Sequence, residues 1–149
     1  MSTVAVIGAG YVGLTTAACL AHIGHDVTCA DIDETKIAQL NNGEIPIHEA
    51  RLPELVQEGI SKQLLKFVVG AQQAVTTSDF VFLCLPTPQG EEGRADIGAV
   101  LEVVEEISEI IPPQTIIINK STVPIGTNAL IPVSYTHLRA HETDSYLVC

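Results

Sequence analysis

The stretch VAVIGAGYVGLTTAACLAHIGHDVTCAD, Val4–Asp31, determines the fold that we predict for this chain. A short apolar run is followed by Gly8, Gly10 and Gly13 in the spacing G-x-G-x-x-G, at the point where a helical pattern begins. Glycines at this spacing permit a sharp turn, a close backbone approach to a pyrophosphate and close packing of helix on strand. The stretch therefore predicts a strand, a turn and a helix that starts at Tyr11 and points its first N–H groups at phosphates.

An acidic residue follows the next predicted strand, which covers 26–30. Asp31 stands 18 positions beyond Gly13, where a carboxylate accepts hydrogen bonds from a ribose 2′-hydroxyl. Asp33 and Glu34 add negative charge, and no arginine lies nearby in the sequence to receive a 2′-phosphate. A glycine-rich turn without a ligand is the alternative for the glycines alone. The complete order of elements favours a bound dinucleotide, and it favours NAD over NADP.

Strands and helices alternate through the rest of the chain. Apolar runs predict three more strands, over 65–69, 79–85 and 115–119. Amphipathic or small-residue segments predict helices over 33–41, 52–59 and 97–110, and a short helix or turn over 71–77. Continuous apolar strands that alternate with helices are typical of a parallel sheet covered on both faces. We therefore predict an α/β fold, a doubly wound parallel sheet of the Rossmann type.

Hydroxyl side chains follow two of the predicted strands. Thr87, which stands between two prolines, comes after the strand that ends at 85, and Ser121 and Thr122 come after the strand that ends at 119. Because the carboxyl ends of parallel strands meet at one edge of a sheet, these hydroxyls and the glycine-rich turn are expected to converge on one ligand crevice. A plain proline-rich turn remains the alternative for Thr87.

The composition and the charge disfavour several function classes. The chain has 149 residues, of which 46% are hydrophobic and 17% charged, as expected for one globular domain. Its formal net charge of −11 argues against nucleic acid or an anionic membrane as partner. Because the predicted ligand is itself an anion, Lys36 and Lys120 are candidates for local cations, with a solvated lysine as the alternative for Lys36. No apolar run is long enough to span a membrane, so we expect a cytoplasmic protein.

The cysteines and histidines give weak signals. The four cysteines show no C-x-x-C spacing, and we expect Cys19, Cys29 and Cys84 to be buried free thiols. His48 and Glu49 lie in an irregular connection, where two polar residues are poor evidence for a metal site. We therefore predict no metal.

Four motifs, found in the right order, resemble those of one family. They are GAGYVGL at 8–14, Asp31 followed by Lys36, PTPQG at 86–90 followed by Gly93 and Ala95-Asp96, and NKSTVP at 119–124. Together they are similar to the NAD-binding domain of the UDP-glucose/GDP-mannose dehydrogenase family, over about 2–132. The resemblance implies NAD as cofactor. It also implies an oxidation in which the C6 alcohol of a nucleotide sugar becomes a carboxylate, with two molecules of NAD consumed per turnover.

The resemblance also implies roles for individual residues. Val12, Asp31, Lys36, Thr87 and Thr122 would contact NAD. Thr122 would also help to hold a catalytic water, a task that suits a hydroxyl because it donates and accepts hydrogen bonds. The full set of predicted cofactor-binding residues is Gly8, Gly10, Tyr11, Val12, Gly13, Asp31, Lys36, Thr87, Ser121 and Thr122. The family's cysteine nucleophile and the polar residues that assist it lie beyond the matched stretch, so no cysteine of this chain is assigned that role.

The chain departs from the family in two respects. Family members run to several hundred residues, so we expect a C-terminally truncated domain that is inactive alone and leaves an apolar sheet edge uncovered after 119. Residues 133–149 match nothing expected there, and 133–143 are similar to a translated transposase-type sequencing adapter. We interpret 1–132 as the NAD-binding domain and 133–149 as a non-native read-through tail. The H-x-x-x-H-E pattern at 137–142 is therefore discounted as a metal site.

Several alternatives for the function stay open. UDP-glucose is the first substrate that the resemblance implies, with UDP-N-acetylmannosamine or GDP-mannose as alternatives. A complete protein would bind the nucleotide sugar as substrate and form a homodimer, as the family commonly does. A non-catalytic NAD-binding module is the alternative from another class of protein.

Overall fold

One parallel sheet organises the computed structural model, which describes residues 1–89, 96–121 and 147–148. The six strands of the described residues are β1 (Thr3–Ile7), β2 (Asp26–Asp31), β3 (Leu65–Val69), β4 (Phe80–Leu83), β5 (Ile116–Asn119) and β6 (Leu147–Val148). The five helices found there are α1 (Tyr11–His22), α2 (Glu34–Asn41), α3 (Leu52–Ser61), α4 (Ala71–Val75) and α5 (Gly98–Ser108).

The strand order is β3-β2-β1-β4-β5-β6, and every pairing is parallel. The chain therefore runs outward from β1 to β3 in one direction, then returns to lay β4 on the other side of β1. This arrangement has a topological switch point between β1 and β4, and crevices at such points hold ligands beyond the carboxyl ends of the strands. The predicted doubly wound α/β fold is confirmed.

The core has two layers, one on each face of the sheet. Val4 and Val6 of β1 pack into the cluster that contains Leu14 of α1. Ala5 and Ile7 of the same strand pack into the opposite cluster with α4 and α5. Because successive side chains of a strand point to opposite faces, a strand that is buried on both faces needs a continuous apolar run, and β1 has one.

Helix α1 is bounded by glycines on both sides. It begins one residue after Gly10 and ends at His22, with Gly24 two positions later at φ +99°. This left-handed conformation is accessible to glycine at little cost and stops the helix. The sheet side of α1 consists of small and medium residues, Gly13, Leu14, Ala17, Ala18 and Ala21, so the helix lies close to the strands.

Three predictions about the fold need correction. Strand β4 covers Phe80–Leu83 rather than 79–85, because the chain leaves the sheet before the prolines. Cys19 is exposed, whereas Cys29 and Cys84 are buried as expected, and all three are free thiols. The edge of β5 is not left fully uncovered, because β6 pairs with it for two residues.

Within the part of the chain that the structure describes, no helix has the length and apolar character needed to cross a bilayer.

Candidate functional site

Two of the three glycines are required by the packing of the protein itself. Gly8 has φ +103°, and a Cβ there would overlap the carbonyl oxygen of Cys84 and lie 3.0 Å from its carbonyl carbon. A Cβ at Gly13 would overlap the carbonyl oxygen of Gly8 and lie 3.2 Å from the Cβ of Cys84. The first turn of α1 therefore lies directly on the ends of β1 and β4, which leaves no room for side chains at these positions.

Gly10 differs from the other two glycines. A Cβ at this position would meet no heavy atom of the described residues within 4 Å, so the fold alone does not require glycine here. Gly10 is the N-cap residue of α1, and the helix has no side-chain cap among the residues described. The first N–H groups of a helix need partners from outside it. Within the described ranges, the start of α1 therefore presents N–H groups without a side-chain cap and an open backbone approach to the same space.

The Asp31 carboxylate stands at the end of β2, beside the glycine-rich turn. Its Oδ2 accepts hydrogen bonds from the Ala9 N–H at 2.8 Å and from Lys36 Nζ at 3.0 Å, and its Oδ1 accepts one from the Asp33 N–H at 3.0 Å. Burial alone raises the pKa of Asp31, but these three hydrogen bonds outweigh it and hold the pKa below its ordinary value. The carboxylate is therefore charged at neutral pH and fixed in place.

Lys36 lies in the first turn of α2, where Asp33 caps the helix by accepting a hydrogen bond from the Lys36 N–H at 3.0 Å. Its ammonium group contacts the Asp31 carboxylate at 3.0 Å, with 31% of the side chain exposed. The ammonium is therefore at the edge of the site. Lys36 is therefore paired with Asp31 as well as partly exposed to solvent.

A cavity of about 790 Å³ lies along the carboxyl ends of the strands. This volume is within the range of about 300 to 1,000 Å³ that is usual for small-molecule and cofactor sites. Predicted site residues that lie at or after the ends of β1, β2, β4 and β5 line it: Gly8, Gly10, Tyr11, Val12, Asp31, Lys36, Thr87 and Ser121. Lys120 and Cys84 also line this cavity. The predicted convergence of the strand ends is therefore observed for these residues.

Ser121 ties the ends of β4 and β5 together. Its Oγ accepts a hydrogen bond from the Leu85 N–H at 3.0 Å and donates one to the Leu83 carbonyl oxygen at 3.3 Å. Asn119 orients the same residue, because its Oδ1 accepts a hydrogen bond from the Ser121 N–H at 3.0 Å. The hydroxyl that was predicted as a ligand contact thus also has a structural role. Thr122, the predicted water-positioning residue, lies outside the described residues.

A contact between Tyr11 and a distant loop was also not predicted from sequence patterns. The Tyr11 hydroxyl donates a hydrogen bond to Glu49 Oε2, across 38 positions of sequence. This hydrogen bond, and the negative charge of Glu49, raise the pKa of Tyr11 above its ordinary value. The connection between α2 and α3 is thereby joined to the first residue of α1, next to the cavity.

The cysteines of the site are poorly suited to act as nucleophiles. Burial raises the pKa of the Cys84 thiol to about 11, although Lys120 lowers it somewhat. Burial also raises the pKa of Cys29. A thiol needs its thiolate form to attack a carbonyl, so neither residue supplies a reactive sulfur at neutral pH. Among the residues that the structure describes, no group of three or more histidine, cysteine, aspartate or glutamate side chains is placed to hold a metal.

A protein-family comparison agrees with the resemblance seen in the sequence. The model of the family described as "UDP-glucose/GDP-mannose dehydrogenase family, NAD binding domain" matches residues 2–148. UDP-glucose 6-dehydrogenase TuaD of Bacillus subtilis is 43% identical over 131 residues, which are 88% of this chain and 28% of that protein. UDP-glucose 6-dehydrogenase of Pseudomonas aeruginosa is 41% identical over 122 residues, covering 82% and 27%.

Solved structures of nucleotide-sugar dehydrogenases have the same fold. A ternary complex of GDP-mannose dehydrogenase from Pseudomonas aeruginosa superposes with a TM-score of 0.90 at 31% identity, covering 97% of this chain and 35% of that one. UDP-glucose dehydrogenase from Pyrobaculum islandicum gives 0.90 at 28% identity, covering 99% and 35%. The chain thus spans about a third or less of the length of the proteins that it matches.

Proposed function

The chain belongs to the UDP-glucose/GDP-mannose dehydrogenase family, whose NAD-binding domain it matches, and we propose that it supplies the NAD-binding half of a nucleotide-sugar dehydrogenase. In the longer protein, the C6 alcohol of UDP-glucose would be oxidised to the carboxylate of UDP-glucuronate. One observation carries the proposal. The open approach at Gly10, the start of α1 and the Asp31 carboxylate all border one cavity, in the order in which a dinucleotide presents its phosphates and its ribose.

The residues present fit NAD on physical grounds. Gly10 has free space where a Cβ would stand, which allows the pyrophosphate to reach the N–H groups of α1. Asp31 would accept a hydrogen bond from the adenosine ribose, and its negative charge would repel the 2′-phosphate of NADP. Bound NAD would supply a hydride acceptor for the alcohol carbon. The protein groups on this edge bind and orient the two ends of the cofactor.

The charge of the chain requires that anion binding be local. The formal net charge is −11, so long-range steering does not favour an anionic cofactor. The partial positive charge at the start of α1 acts over about one helical turn. Lys36 and Lys120 line the cavity, as do Asp31, Asp33, Glu102 and Glu106. Because the Lys36 ammonium is paired with Asp31, we propose Lys120 as the main cation for the phosphates.

Hydroxyl groups on the far side of the cavity would serve the other half of the cofactor. Thr87 and Ser121 line the cavity after β4 and β5, and we propose that both contact NAD. By family resemblance, Thr122 would also contact NAD and hold the catalytic water of the second oxidation. Removal of its hydroxyl in the longer protein should therefore impair turnover more than cofactor affinity.

UDP-glucose is the preferred substrate because two relatives at 41% and 43% identity are named UDP-glucose 6-dehydrogenases. GDP-mannose and UDP-N-acetylmannosamine are the alternatives, since structures with those names share the fold at 30% to 31% identity. The family resemblance places the sugar site and the cysteine nucleophile outside the matched stretch. We therefore expect this 149-residue chain to be inactive alone.

Calorimetric titration of the chain with NAD and with NADP tests the cofactor half of the proposal. We expect NAD to bind at least about tenfold more tightly, because NADP places a phosphate against the Asp31 carboxylate. Asp31→Ala should weaken NAD binding, whereas Asp26→Ala, a change at the opposite end of the same strand, should leave it unaltered. Equal affinities for NAD and NADP, or an unchanged NAD affinity in Asp31→Ala, would refute the assignment.

Sequencing of the source gene across the codons for Pro132 and Val133 tests the domain boundary. We propose that 133–149 is a read-through tail, in line with relatives whose alignments cover 82% to 88% of the chain. Two observations favour a native origin instead: the family model extends to 148, and β6 pairs with β5. If the reading frame continues into a cysteine-bearing catalytic segment, the full product should be assayed with all three nucleotide sugars. A stop codon directly after Cys149 would instead favour the non-catalytic NAD-binding module.

We further propose that the longer protein is cytoplasmic, forms a homodimer and binds no nucleic acid. The acidic charge supports the last point, because phosphate backbones repel such a surface. Light scattering of the full gene product, with and without DNA, tests the oligomeric state and the absence of nucleic acid together.

A further inference from the structure

Asp31 joins three separate parts of the site through one carboxylate. Its donors come from the glycine-rich turn (Ala9 N–H), from the residue that caps α2 (Asp33 N–H) and from the side chain of Lys36. Only 11% of the Asp31 side chain is exposed. The glycine-rich turn, the cap of α2 and the Lys36 side chain are therefore all bonded to the same carboxylate.

The two carboxylate oxygens are not equivalent. A carboxylate offers about four acceptor positions, two on each oxygen. Among the described residues, Oδ2 has two donors, Ala9 and Lys36, whereas Oδ1 has one, Asp33. A ribose hydroxyl can therefore bind at Oδ1 while Oδ2 keeps its contact with the turn.

The Ala9 contact lies where the position of the backbone matters most. Ala9 is 1% exposed and stands between Gly8, whose N–H donates to the Ala30 carbonyl oxygen at 2.7 Å, and the open N-cap residue Gly10. Two successive N–H groups of the turn are thus attached to the end of β2, one to its backbone and one to the Asp31 side chain. Without the carboxylate, the second attachment is lost and a buried N–H has no partner.

We infer that Asp31 is a positioning residue for the glycine-rich turn, in addition to being the acceptor for the ribose. This inference rests on the proposed NAD site but makes a separate statement. The carboxylate should contribute to the binding of the phosphates even when the ligand has no ribose hydroxyl to offer. A hydrogen bond to a charged acceptor is strong enough for its loss to be measured.

Ligands with and without the ribose hydroxyls separate the two roles. The experiment is a calorimetric comparison of ADP and 2′,3′-dideoxy-ADP on the wild-type chain, on Asp31→Ala and on the far-end control Asp26→Ala. If Asp31 only accepts from the ribose, its replacement leaves 2′,3′-dideoxy-ADP affinity unchanged. We expect instead a loss of about fivefold or more for 2′,3′-dideoxy-ADP, and a larger loss for ADP. An unchanged affinity for 2′,3′-dideoxy-ADP in folded Asp31→Ala overturns the inference.

A second measurement needs neither ligand nor the alanine variant. In the ligand-free chain, the amide proton of Ala9 should resonate downfield and exchange slowly, because it is bonded to a carboxylate. Asp31→Asn keeps the size of the side chain but removes its charge, so the Ala9 proton should move upfield and exchange faster. The amide of Val27, in the middle of the sheet, serves as the unaffected reference. An unchanged Ala9 signal in Asp31→Asn contradicts the inference, and this outcome is independent of whether the chain binds NAD.

Discussion

The carbonyl oxygen of Gly8 occupies the space that a Cβ at Gly13 would need. The packing of the protein therefore requires glycine at the third position of the motif. At the second position, Gly10, the place that a Cβ would take is free. Glycine therefore stands at these two positions of one motif for different physical reasons. Substitution of each glycine by alanine distinguishes the two reasons.

Gly13→Ala should destabilise the fold, because helix α1 must move away from β1 to admit the methyl group. Overpacking of this kind costs about 1 to 3 kcal/mol or more in the free energy of unfolding. Gly10→Ala should cost no more than about 1 kcal/mol, since it changes only an N-cap residue. Urea unfolding of both variants measures the difference.

Gly10→Ala should affect NAD affinity more than it affects stability. In Gly10→Ala the added methyl group stands in the predicted path of the pyrophosphate, so binding should weaken although the fold is retained. Calorimetry on folded Gly10→Ala checks this. A Gly10→Ala chain that is as stable as wild type and binds NAD equally well would show that no ligand approaches this backbone.

The free energy of unfolding at acid pH should depend on Asp31. Its pKa is lower in the folded chain than its ordinary value, so the folded state binds the proton less tightly than the unfolded state does. The charged carboxylate therefore stabilises the fold above the unfolded pKa of about 3.9, and this contribution is lost as the pH falls through the lower folded pKa. Asp31→Asn has no such contribution to lose. The difference in unfolding free energy between wild type and Asp31→Asn should thus shrink on acidification, and a difference that stays constant from neutral pH to about pH 2 would contradict it.

Tyr11 should titrate at a higher pH than an ordinary tyrosine side chain. The hydrogen bond to Glu49 and the charge of that carboxylate both oppose ionisation of the phenol, so Glu49→Gln should lower the pKa of Tyr11 towards its ordinary value. Ultraviolet titration of the phenolate absorbance gives the pKa, and Tyr11→Phe identifies its share of the signal. If Glu49→Gln leaves the titration curve unchanged, the contact across the connection is absent in solution.

Local pattern was sufficient where one segment decides its own structure. Strand β3 was predicted with the bounds that it has, because the run LKFVV is followed directly by Gly70. The error at Cys19 has a simple cause. Helix α1 is apolar nearly all round, so composition does not show which side is buried, although Cys19 lies opposite Ala17 and Ala21 on a helical wheel.

Contacts between distant segments were beyond the reach of sequence reasoning. The strand β6 has two residues and exists through its pairing with β5, so it leaves no periodic signal of its own. The bond from Tyr11 to Glu49 and the bond from Ala9 to Asp31 join residues 38 and 22 positions apart. Residue identity predicted a functional carboxylate at Asp31, but its contact with the turn required the fold.

Ser121→Ala tests whether the ends of β4 and β5 depend on one hydroxyl. The variant removes the acceptor for the Leu85 N–H and the donor to the Leu83 carbonyl oxygen, so an N–H at the rim of the cavity loses its partner. The expected cost is about 1 to 3 kcal/mol in the free energy of unfolding. Ser61→Ala is the matched control, because the Ser61 hydroxyl only contacts the Glu58 carbonyl oxygen at the exposed end of α3, and such changes usually stay within about 0.5 kcal/mol. Urea unfolding that gives the same small loss for both variants would mean that Ser121 does not tie the strand ends together.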